Sequence, residues 1–193
     1  MLDHSCQVQR HPLSERGDDA YMSPPPATEA LLRHEKLPHR LWECACGNGV
    51  GILDPLRAAG HKVVGSDLVD YGRPDCFWHR DFLMERKAPD GCEAIITNPP
   101  YKLVEPFVAH ALDLSPLVIM LLRLAFMESE RRTGILEGRG LARIHQFRKR
   151  LPMMHRAGWE GRKANSGMAF AWFIWDRSHA GPTTIDRISW ERP

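Results

Sequence analysis

The sequence predicts an α/β fold: a mostly parallel central sheet with helices on both faces and a C-terminal antiparallel strand pair. Short apolar runs typical of buried strands alternate with segments whose apolar residues recur at helical spacing. This alternation favours a parallel sheet, because consecutive parallel strands need a crossover connection that is usually a helix. The last two apolar runs follow each other without a long helix between them, which indicates the antiparallel pair.

The first patterned segments are a helix, a strand and a second helix. Residues 27–37 have helical spacing, and Leu41 with Trp42 leads into a short strand. Glycines at positions 47 and 49 then interrupt the pattern. They precede residues 50–59, whose apolar side chains fall on one stripe of a helix that Gly60 ends.

Strands make up most of the patterned segments in the rest of the chain. They are predicted at residues 62–67, 76–79, 93–97, 117–122, 143–147 and 169–175. Between the fourth and fifth strands, the apolar residues from 103 to 112 recur at helical spacing and predict an amphipathic helix.

Size and composition indicate one globular domain. The 193 residues, of which 43% are hydrophobic, are enough for one core and too few for two. Residues 1–20 are polar and unpatterned, so we expect a flexible N-terminal arm followed by a single domain at 21–193. No apolar run approaches the ~18 residues of a membrane span, and the N-terminus does not resemble a secretory signal. We therefore expect a cytoplasmic protein without membrane contact.

The cysteines predict neither a disulfide framework nor a metal site. The chain has five, an odd number, and no second Cys/His pair complements Cys44 and Cys46 at zinc spacing. We therefore expect reduced thiols and no bound metal.

Basic residues are concentrated in the C-terminal part of the chain. From Met120 onward there are 14 Lys and Arg against 7 Asp and Glu, interleaved with aromatic residues. Such a mixture is typical of surfaces that bind a nucleic-acid backbone and its bases, although a solvated charged face is the commoner cause of a charge run. For a nucleic-acid partner we expect a recognition segment at about residues 123–167. The candidate substrate-binding residues are Arg123, Arg131, Arg132, Arg148, Lys149, Arg150, Trp159, Arg162 and Lys163.

Unusual residues follow the predicted strands, at the edge where parallel sheets bind ligands. The loop from Glu43 to Gly49 has glycines that let the backbone approach a ligand, but it is neither the dinucleotide fingerprint nor a Walker loop. Asp67 ends the second strand, where a carboxylate can accept both hydrogen bonds of a ribose diol. Asp81 and Phe82 follow the third strand and suit an adenine ring. Each feature alone also fits a structural turn or a helix cap.

The fourth predicted strand ends on the sequence Thr-Asn-Pro-Pro-Tyr, at residues 97–101. Pro99 and Pro100 cannot donate to a sheet ladder, so the strand must stop there. Their rings also stiffen the corner. The result is a rigid corner that holds Asn98 and Tyr101 at the carboxyl edge of the sheet.

The order of these motifs resembles that of the class I S-adenosylmethionine-dependent methyltransferases, specifically the amino methyltransferases that modify adenine N6. The resemblance covers roughly residues 20–176 and implies a Rossmann-like methyltransferase fold with S-adenosyl-L-methionine as cofactor. Residues 21–24 fit a further family motif, a tyrosine followed by Ser-Pro before the first helix. The implied cofactor-binding residues are Tyr21, Ser23, Pro24, Glu43, Cys44, Ala45, Gly47, Gly49, Asp67, Leu68, Asp81 and Phe82. The implied catalytic residues are Asn98, Pro99, Pro100 and Tyr101.

The resemblance also implies how the proline corner acts. An exocyclic adenine amine is a poor nucleophile, because its lone pair is delocalised into the ring. The Asn98 side-chain oxygen and the Pro99 carbonyl would accept hydrogen bonds from both of its N–H groups and favour a tetrahedral nitrogen. Tyr101 would stack on the base, which must leave the duplex to reach the pocket. No obligatory general base is expected.

The acceptor has several alternatives. The order of the motifs along the chain is similar to that in the gamma group of DNA adenine methyltransferases. The tetrapeptide Asn-Pro-Pro-Tyr at residues 98–101 also resembles motifs of RNA and protein-glutamine methyltransferases. Few residues follow Trp175, so we expect a short or relaxed DNA target, as in small phage and prophage orphan enzymes. Related enzymes place an aromatic residue before a proline at the entry of the last strands, where this sequence has Leu151 and Pro152. A non-catalytic nucleic-acid-binding module is the alternative from another class.

Overall fold

The computed structural model describes residues 22–152 and 167–191. Within these ranges the chain forms an eight-stranded sheet with helices on both faces. The strands are β1 (Arg40–Glu43), β2 (Lys62–Ser66), β3 (Cys76–Phe77), β4 (Ala94–Thr97), β5 (Leu117–Arg123), β6 (Leu141–Phe147), β7 (Phe170–Asp176) and β8 (Thr184–Ile188). The α-helices are α1 (Pro25–His34), α2 (Leu53–Ala58), α3 (Val104–Leu114) and α4 (Thr133–Leu136). Short 3-10 turns lie at Phe82–Met84, Tyr101–Leu103, Leu124–Met127 and Glu130–Arg132.

The strand order in the sheet is β3-β2-β1-β4-β5-β7-β6-β8. Every neighbouring pair is parallel except the two pairs formed by β7, which runs antiparallel to β5 and β6. The predicted mostly parallel sheet with a C-terminal antiparallel pair is confirmed. After β3 the chain crosses to the other side of β1, so the strand order reverses between β1 and β4. In open α/β sheets, ligands bind outside the carboxyl ends of the strands at such a reversal.

The edge strand β8 was not predicted. It pairs in parallel with β6, with Thr184 opposite Arg143 and Ile188 opposite Phe147. Four of its five residues are exposed, so it lacks the buried apolar face on which a strand signal in the sequence depends. Backbone pairing with β6 defines this strand, and only the folded chain shows it.

The first two helices start at different residues from those predicted. α1 begins at Pro25, because a proline at the first helical positions lacks only an amide hydrogen that the first turn does not use. α2 begins at Leu53 instead of residue 50, because the turns of the glycine loop continue through Ile52. Within the described ranges, no helix is long and apolar enough to cross a membrane.

Two apolar cores lie on opposite faces of the sheet. Leu31 of α1 and Leu56 of α2 pack in one of them, and Val108 of α3 packs in the other. β7 serves both cores, because successive side chains of a strand point to opposite faces: Trp172 belongs to the first core and Trp175 to the second. Both tryptophans are fully buried. Burying one large apolar side chain contributes about 1.5–3 kcal/mol, so this strand anchors the sheet from which the ligand-binding edge is built.

Candidate active site

A cleft of about 310 Å³ lies at the carboxyl edge of the sheet, in a size range typical of small-molecule sites. Its walls come from the loops after β1, β2, β3 and β4 and from the segment before α1. This is the edge at which the reversal of strand order favours a ligand. The cleft brings together these residues singled out from the sequence: Ser23, Glu43, Cys44, Ala45, Gly47, Asp67, Leu68, Asp81, Phe82, Asn98, Pro99, Pro100 and Tyr101.

Three residues expected to bind a cofactor do not appear in this lining. Tyr21 lies outside the described residues. Pro24 precedes α1, and its carbonyl accepts a hydrogen bond from the Ala27 amide (2.9 Å). Gly49 shapes the loop: its φ is +76°, and its amide donates to the Cys46 carbonyl (2.8 Å). Both described residues therefore shape the segments that line the cleft without lining it themselves.

The glycine loop is held against the end of β2. Gly47 has a φ of +53°, in the left-handed region that favours glycine, and its amide donates to Asp67 Oδ2 (2.8 Å). The Cys46 amide donates to the Ser66 carbonyl (3.0 Å). Asp67 Oδ1 also accepts a hydrogen bond from the Val69 amide (3.0 Å). A carboxylate has about four lone-pair sites, so these two amide contacts are compatible with a ligand contact as well.

Arg73, which sequence reasoning missed, clamps the same loop. Its Nη1 donates to the Asn48 carbonyl (3.1 Å) and to Asp54 Oδ2 (3.0 Å). Its Nε and Nη2 donate to Asp75, and this guanidinium holds the pKa of the Asp75 carboxyl well below its usual range. A Cβ added at Gly49 would lie 2.6 Å from Arg73 Nη1. A side chain at position 49 would therefore strain the backbone and displace the Arg73 guanidinium from its contacts with the loop.

Glu43, the last residue of β1, is a buried carboxyl that lines the cleft. Only 1% of its surface is exposed, and among the described residues its Oε1 has no hydrogen-bond partner. Burial raises the pKa of Glu43 well above its usual range, and the negative charge of Asp67 raises it further. Folding therefore favours the neutral form of this carboxyl. An unsatisfied buried oxygen is costly, so a polar or positively charged ligand group in the cleft would stabilise this site.

The proline corner forms the opposite wall. All four residues of β4 are buried, and the chain leaves the strand at Asn98. Pro100 has an extended conformation, and its carbonyl accepts the Leu103 amide (3.0 Å) in the 3-10 turn that follows. Asn98 and Tyr101 therefore face the same cleft as Glu43 and the glycine loop.

The Asp-Phe pair after β3 has structural roles in addition to lining the cleft. Asp81 caps a 3-10 turn, because its Oδ1 accepts the Leu83 amide (3.0 Å). The Phe82 ring is 2% exposed and packs between Trp42, with centroids 5.3 Å apart, and Phe107, with centroids 4.8 Å apart. Asp81 therefore has the capping role that the sequence left open as an alternative to ligand binding. Phe82 offers the cleft an edge of a packed aromatic cluster.

The cleft thiols are not nucleophiles. Cys44 and Cys46 both line the cleft, and burial raises the pKa of each thiol above its usual range. They are therefore protonated near pH 7, and a thiol is a much weaker nucleophile than a thiolate. Among the described residues, no group of three His, Cys, Asp or Glu side chains is placed to hold a metal ion. The remaining polar chemistry of the cleft is that of carboxyl, amide and carbonyl groups.

Most of the basic residues expected to contact nucleic acid lie away from the cleft. Arg132 donates to Glu105 (2.8 Å) and to three backbone carbonyls, and its guanidinium lies 4.7 Å from the Phe126 ring centroid. Lys149 pairs with Glu191 (2.8 Å). The residues Arg131, Arg148 and Arg150 are exposed and do not line the cleft. The residues Trp159, Arg162 and Lys163 lie outside the described ranges.

Arg123 differs from this group, because it contacts the proline corner directly. It ends β5, and its guanidinium carbon lies 4.1 Å from the centroid of the Tyr101 ring. Within the described residues, it forms no ion pair. The stack gives the basic segment a physical connection to the cleft.

Several residues of the lining carried no recognisable chemical signature. They are Met22, Cys46, Asn48, Gly51, Ile52, Val69, Tyr71, Arg80, Leu83, Leu103 and Phe107. Gly51 is the exception, because it continues the glycine spacing of positions 47 and 49 and could have been found from that pattern. The path of the loops brings the others to the cleft.

No family model and no curated protein matches the sequence. Solved structures do match it in fold. A candidate class I S-adenosylmethionine-dependent methyltransferase from Listeria monocytogenes matches with a TM-score of 0.58 and 12% identity, over 89% of this chain and 67% of its own. The modification subunit of a candidate type I restriction enzyme from Vibrio vulnificus YJ016 matches with a TM-score of 0.52 and 14% identity, over 88% of this chain and 46% of its own. A dimethyladenosine transferase from Plasmodium falciparum matches with a TM-score of 0.53 and 12% identity, over 81% of this chain and 63% of its own.

The chain has the Rossmann-like methyltransferase fold. Within the described ranges, the eight-stranded sheet with the antiparallel strand β7 between β5 and β6 and the similarity to the Listeria structure support this conclusion. This chain spans less than half of the Vibrio subunit and less than two thirds of the Plasmodium enzyme. A fold of this kind hosts many reactions, so the activity has to be argued from the residues of the cleft.

Proposed function

We propose that the protein is an S-adenosyl-L-methionine-dependent methyltransferase that methylates the N6 amine of adenine in DNA. The observation that carries the proposal is that the Asn-Pro-Pro-Tyr corner lines the same cleft as the glycine loop and Asp67. The two proposed hydrogen-bond acceptors of the corner and the proposed cofactor site thus lie in one cleft. Had Asn98 faced away from Gly47 and Asp67, this function would have no support.

The residues of the cleft fit the proposed cofactor. Asp67 would accept the ribose hydroxyls, and the amides and glycines of the loop from Gly47 would let the cofactor approach the backbone. The unsatisfied Glu43 Oε1 would accept a hydrogen bond from a polar or charged end of the ligand. When bound, S-adenosylmethionine supplies a methyl group on a positively charged sulfur, which is already reactive.

The corner would prepare the acceptor nitrogen. The Asn98 side-chain oxygen and the Pro99 carbonyl would accept one hydrogen bond each from the exocyclic amine, which holds the nitrogen closer to tetrahedral and makes its lone pair available. The two prolines keep these acceptors in place before the substrate arrives, so little reorganisation is needed. Tyr101 would stack on the flipped base. After methyl transfer, the methylated amine would lose its extra proton to Asn98 or to water, so no dedicated base is needed.

RNA adenine is the second candidate acceptor. The fold is shared with a modification subunit of a restriction enzyme and, equally closely, with a dimethyladenosine transferase. A protein glutamine would suit the same planar acceptor chemistry. The basic composition of the chain after Met120 favours a nucleic acid over a protein.

Parallel methylation assays with radiolabelled cofactor would test this proposal. Duplex DNA, structured RNA and a translation release factor, as the representative protein with an acceptor glutamine, would each be offered to the purified protein. We expect label in DNA, and mapping of modified bases in a methylation-deficient host expressing the protein should find N6-methyladenine and its sequence context. If only RNA or only the protein is labelled, DNA is not the acceptor, and the labelled molecule takes its place in the proposal. Absence of label from all three would favour a non-catalytic binding module.

Replacing Asp67 with alanine is expected to weaken cofactor binding. The substitution removes the acceptor of the Gly47 amide as well as the proposed ribose contact. Losing hydrogen bonds to a charged group corresponds to roughly a 10- to 100-fold rise in the Kd for S-adenosylmethionine. Isothermal titration calorimetry would measure it. Asp90→Ala is the matched control, because the Asp90 carboxylate is exposed and pairs with Lys87 on the surface. A rise below twofold in Asp67→Ala would contradict the assignment.

Glu43 is expected to make the protein less stable as the pH rises. Its pKa is raised in the folded state, so the unfolded chain releases a proton that the folded chain keeps. Stability is therefore lost from the unfolded pKa of about 4.3 upward, by up to about 1.4 kcal/mol per pH unit. Glu43→Gln keeps the shape and removes the titration. Urea unfolding between about pH 5 and pH 8 should show the stability of the wild type falling relative to the variant, and parallel curves would contradict the prediction.

A further inference from the structure

The contact between Arg123 and Tyr101 joins the end of β5 to the proline corner. The guanidinium carbon lies 4.1 Å from the Tyr101 ring centroid, the separation of two stacked planar groups. Tyr101 also lies beside Phe170, with ring centroids 6.1 Å apart. Phe170 is 4% exposed and belongs to the core, so it supports Tyr101 and offers no face of its own.

Within residues 22–152 and 167–191, Arg123 forms no ion pair that would hold its guanidinium in place. Its Nε is buried and, among the described residues, has no hydrogen-bond partner. Arg132 provides the comparison: its guanidinium also stacks on an aromatic ring, but ion pairing with Glu105 and three carbonyl contacts fix it there. A buried donor without a partner is costly, and this cost offsets part of the stabilisation from the contact with the Tyr101 ring.

A base that stacks on Tyr101 needs a second wall. Leu151 stands where the resemblance leads one to expect an aromatic wall, but it is 1% exposed and belongs to the same buried core as Phe147 and Phe170. It therefore has no surface to offer a base. Arg123 lies over the ring to which a base would bind, and a planar guanidinium stacks on bases as an aromatic ring does.

We propose that Arg123 is the second wall of the acceptor slot, and that the target base is held between its guanidinium and the Tyr101 ring. This inference rests on the proposed nucleic-acid methyltransferase function. In the ligand-free protein the two walls close on each other, and the flexible Arg123 side chain moves aside by about the thickness of one base, ~3.5 Å, when the base enters. The ligand is a flipped nucleobase with an exocyclic amine. Arg123 is then a base-stacking residue and not a phosphate contact.

Three substitutions separate these two roles. A phenylalanine keeps a stacking face and loses the charge, a lysine keeps the charge and loses the planar face, and methionine loses both. We expect kcat/KM for the methylated nucleic acid to stay within about tenfold of wild type in Arg123→Phe, and to fall roughly 10- to 100-fold in Arg123→Lys and Arg123→Met. The Kd for S-adenosylmethionine should be unchanged in all three. Arg139→Met, which removes an exposed arginine paired with Asp113, is the matched control.

The salt dependence of KM provides a second test that does not require Arg123→Phe to fold. Loss of a phosphate contact would reduce the slope of log KM against log salt by about one, whereas loss of a stacking contact leaves it unchanged. We expect the same slope for Arg123→Met and wild type. Three results would each contradict the stacking role of Arg123. They are retained activity in Arg123→Lys with loss in Arg123→Phe, a reduced slope in Arg123→Met, and wild-type activity in all three variants. Wild-type protein that methylates no nucleic acid would instead refute the proposed function, and the slot with it.

Discussion

Replacing Asn98 with alanine is expected to abolish methyl transfer while the Kd for S-adenosylmethionine stays within a few fold of wild type. Asn98 lines the cleft at the end of β4, where its side-chain oxygen would accept a hydrogen bond from the acceptor amine. Removing one preorganised hydrogen-bonding group of this kind lowers kcat by about 100- to 1,000-fold in other enzymes. The proposed cofactor-binding residues lie on other loops, so binding and turnover should separate.

Single-turnover methylation and calorimetry on the same preparation would measure both effects. Asn98→Asp is the informative companion variant, because it keeps the size of the side chain and an acceptor oxygen. We expect it to retain measurable turnover. If Asn98→Ala still turns over within tenfold of wild type, the proline corner is not the acceptor site.

The second large effect is expected from Gly51→Ala, which should destabilise the protein and weaken cofactor binding together. A Cβ at this position would lie 2.1 Å from the Ser23 carbonyl oxygen and 2.8 Å from its carbonyl carbon. These are backbone atoms, so no side-chain rotation can relieve the overlap. Ser23 has little freedom to move away, because the next residue, Pro24, is the N-cap of α1, and Thr28 of that helix donates to the Gly51 carbonyl (2.8 Å).

Overpacking of this kind costs about 1–3 kcal/mol and occasionally more. Because Ser23 and Gly51 both line the cleft, we also expect the Kd for S-adenosylmethionine to rise. Gly134→Ala is the matched control, since nothing lies within 4 Å of the added Cβ and the residue belongs to α4. That change should be neutral or stabilise by up to about 1 kcal/mol. Equal unfolding free energies and equal affinities for Gly51→Ala and Gly134→Ala would contradict the predicted clash.

Features that depend on neighbours in the chain were predictable. The buried strand β4 stops at Pro99 and Pro100 because a proline has no amide hydrogen, whatever surrounds it. The left-handed turn at Gly47 follows from the same kind of local argument. Parallel strands end at one edge, so the motifs that follow them had to meet there, and the cleft contains nearly all of them.

Features that depend on distant residues were not predictable. Arg73 reaches the Asn48 carbonyl across 25 positions of sequence, and a lone arginine in a polar loop carries no periodic signal. β8 was missed for a related reason: its residues are mostly exposed, so only pairing with β6 identifies it. The same holds for Arg132, which belongs to a basic segment in the sequence but is held by Glu105 in the fold.

Local pattern along the chain was enough for the α/β architecture, the positions of the strand-end motifs and the chemical types of the groups in the cleft. Only the folded chain decided that the pKa of Glu43 is raised, that Gly51 has no room for a side chain, and that Arg123 covers the Tyr101 ring. The reason is physical. Periodicity and turn chemistry act between neighbours in sequence, whereas charge state, steric room and stacking depend on groups that approach each other only after folding.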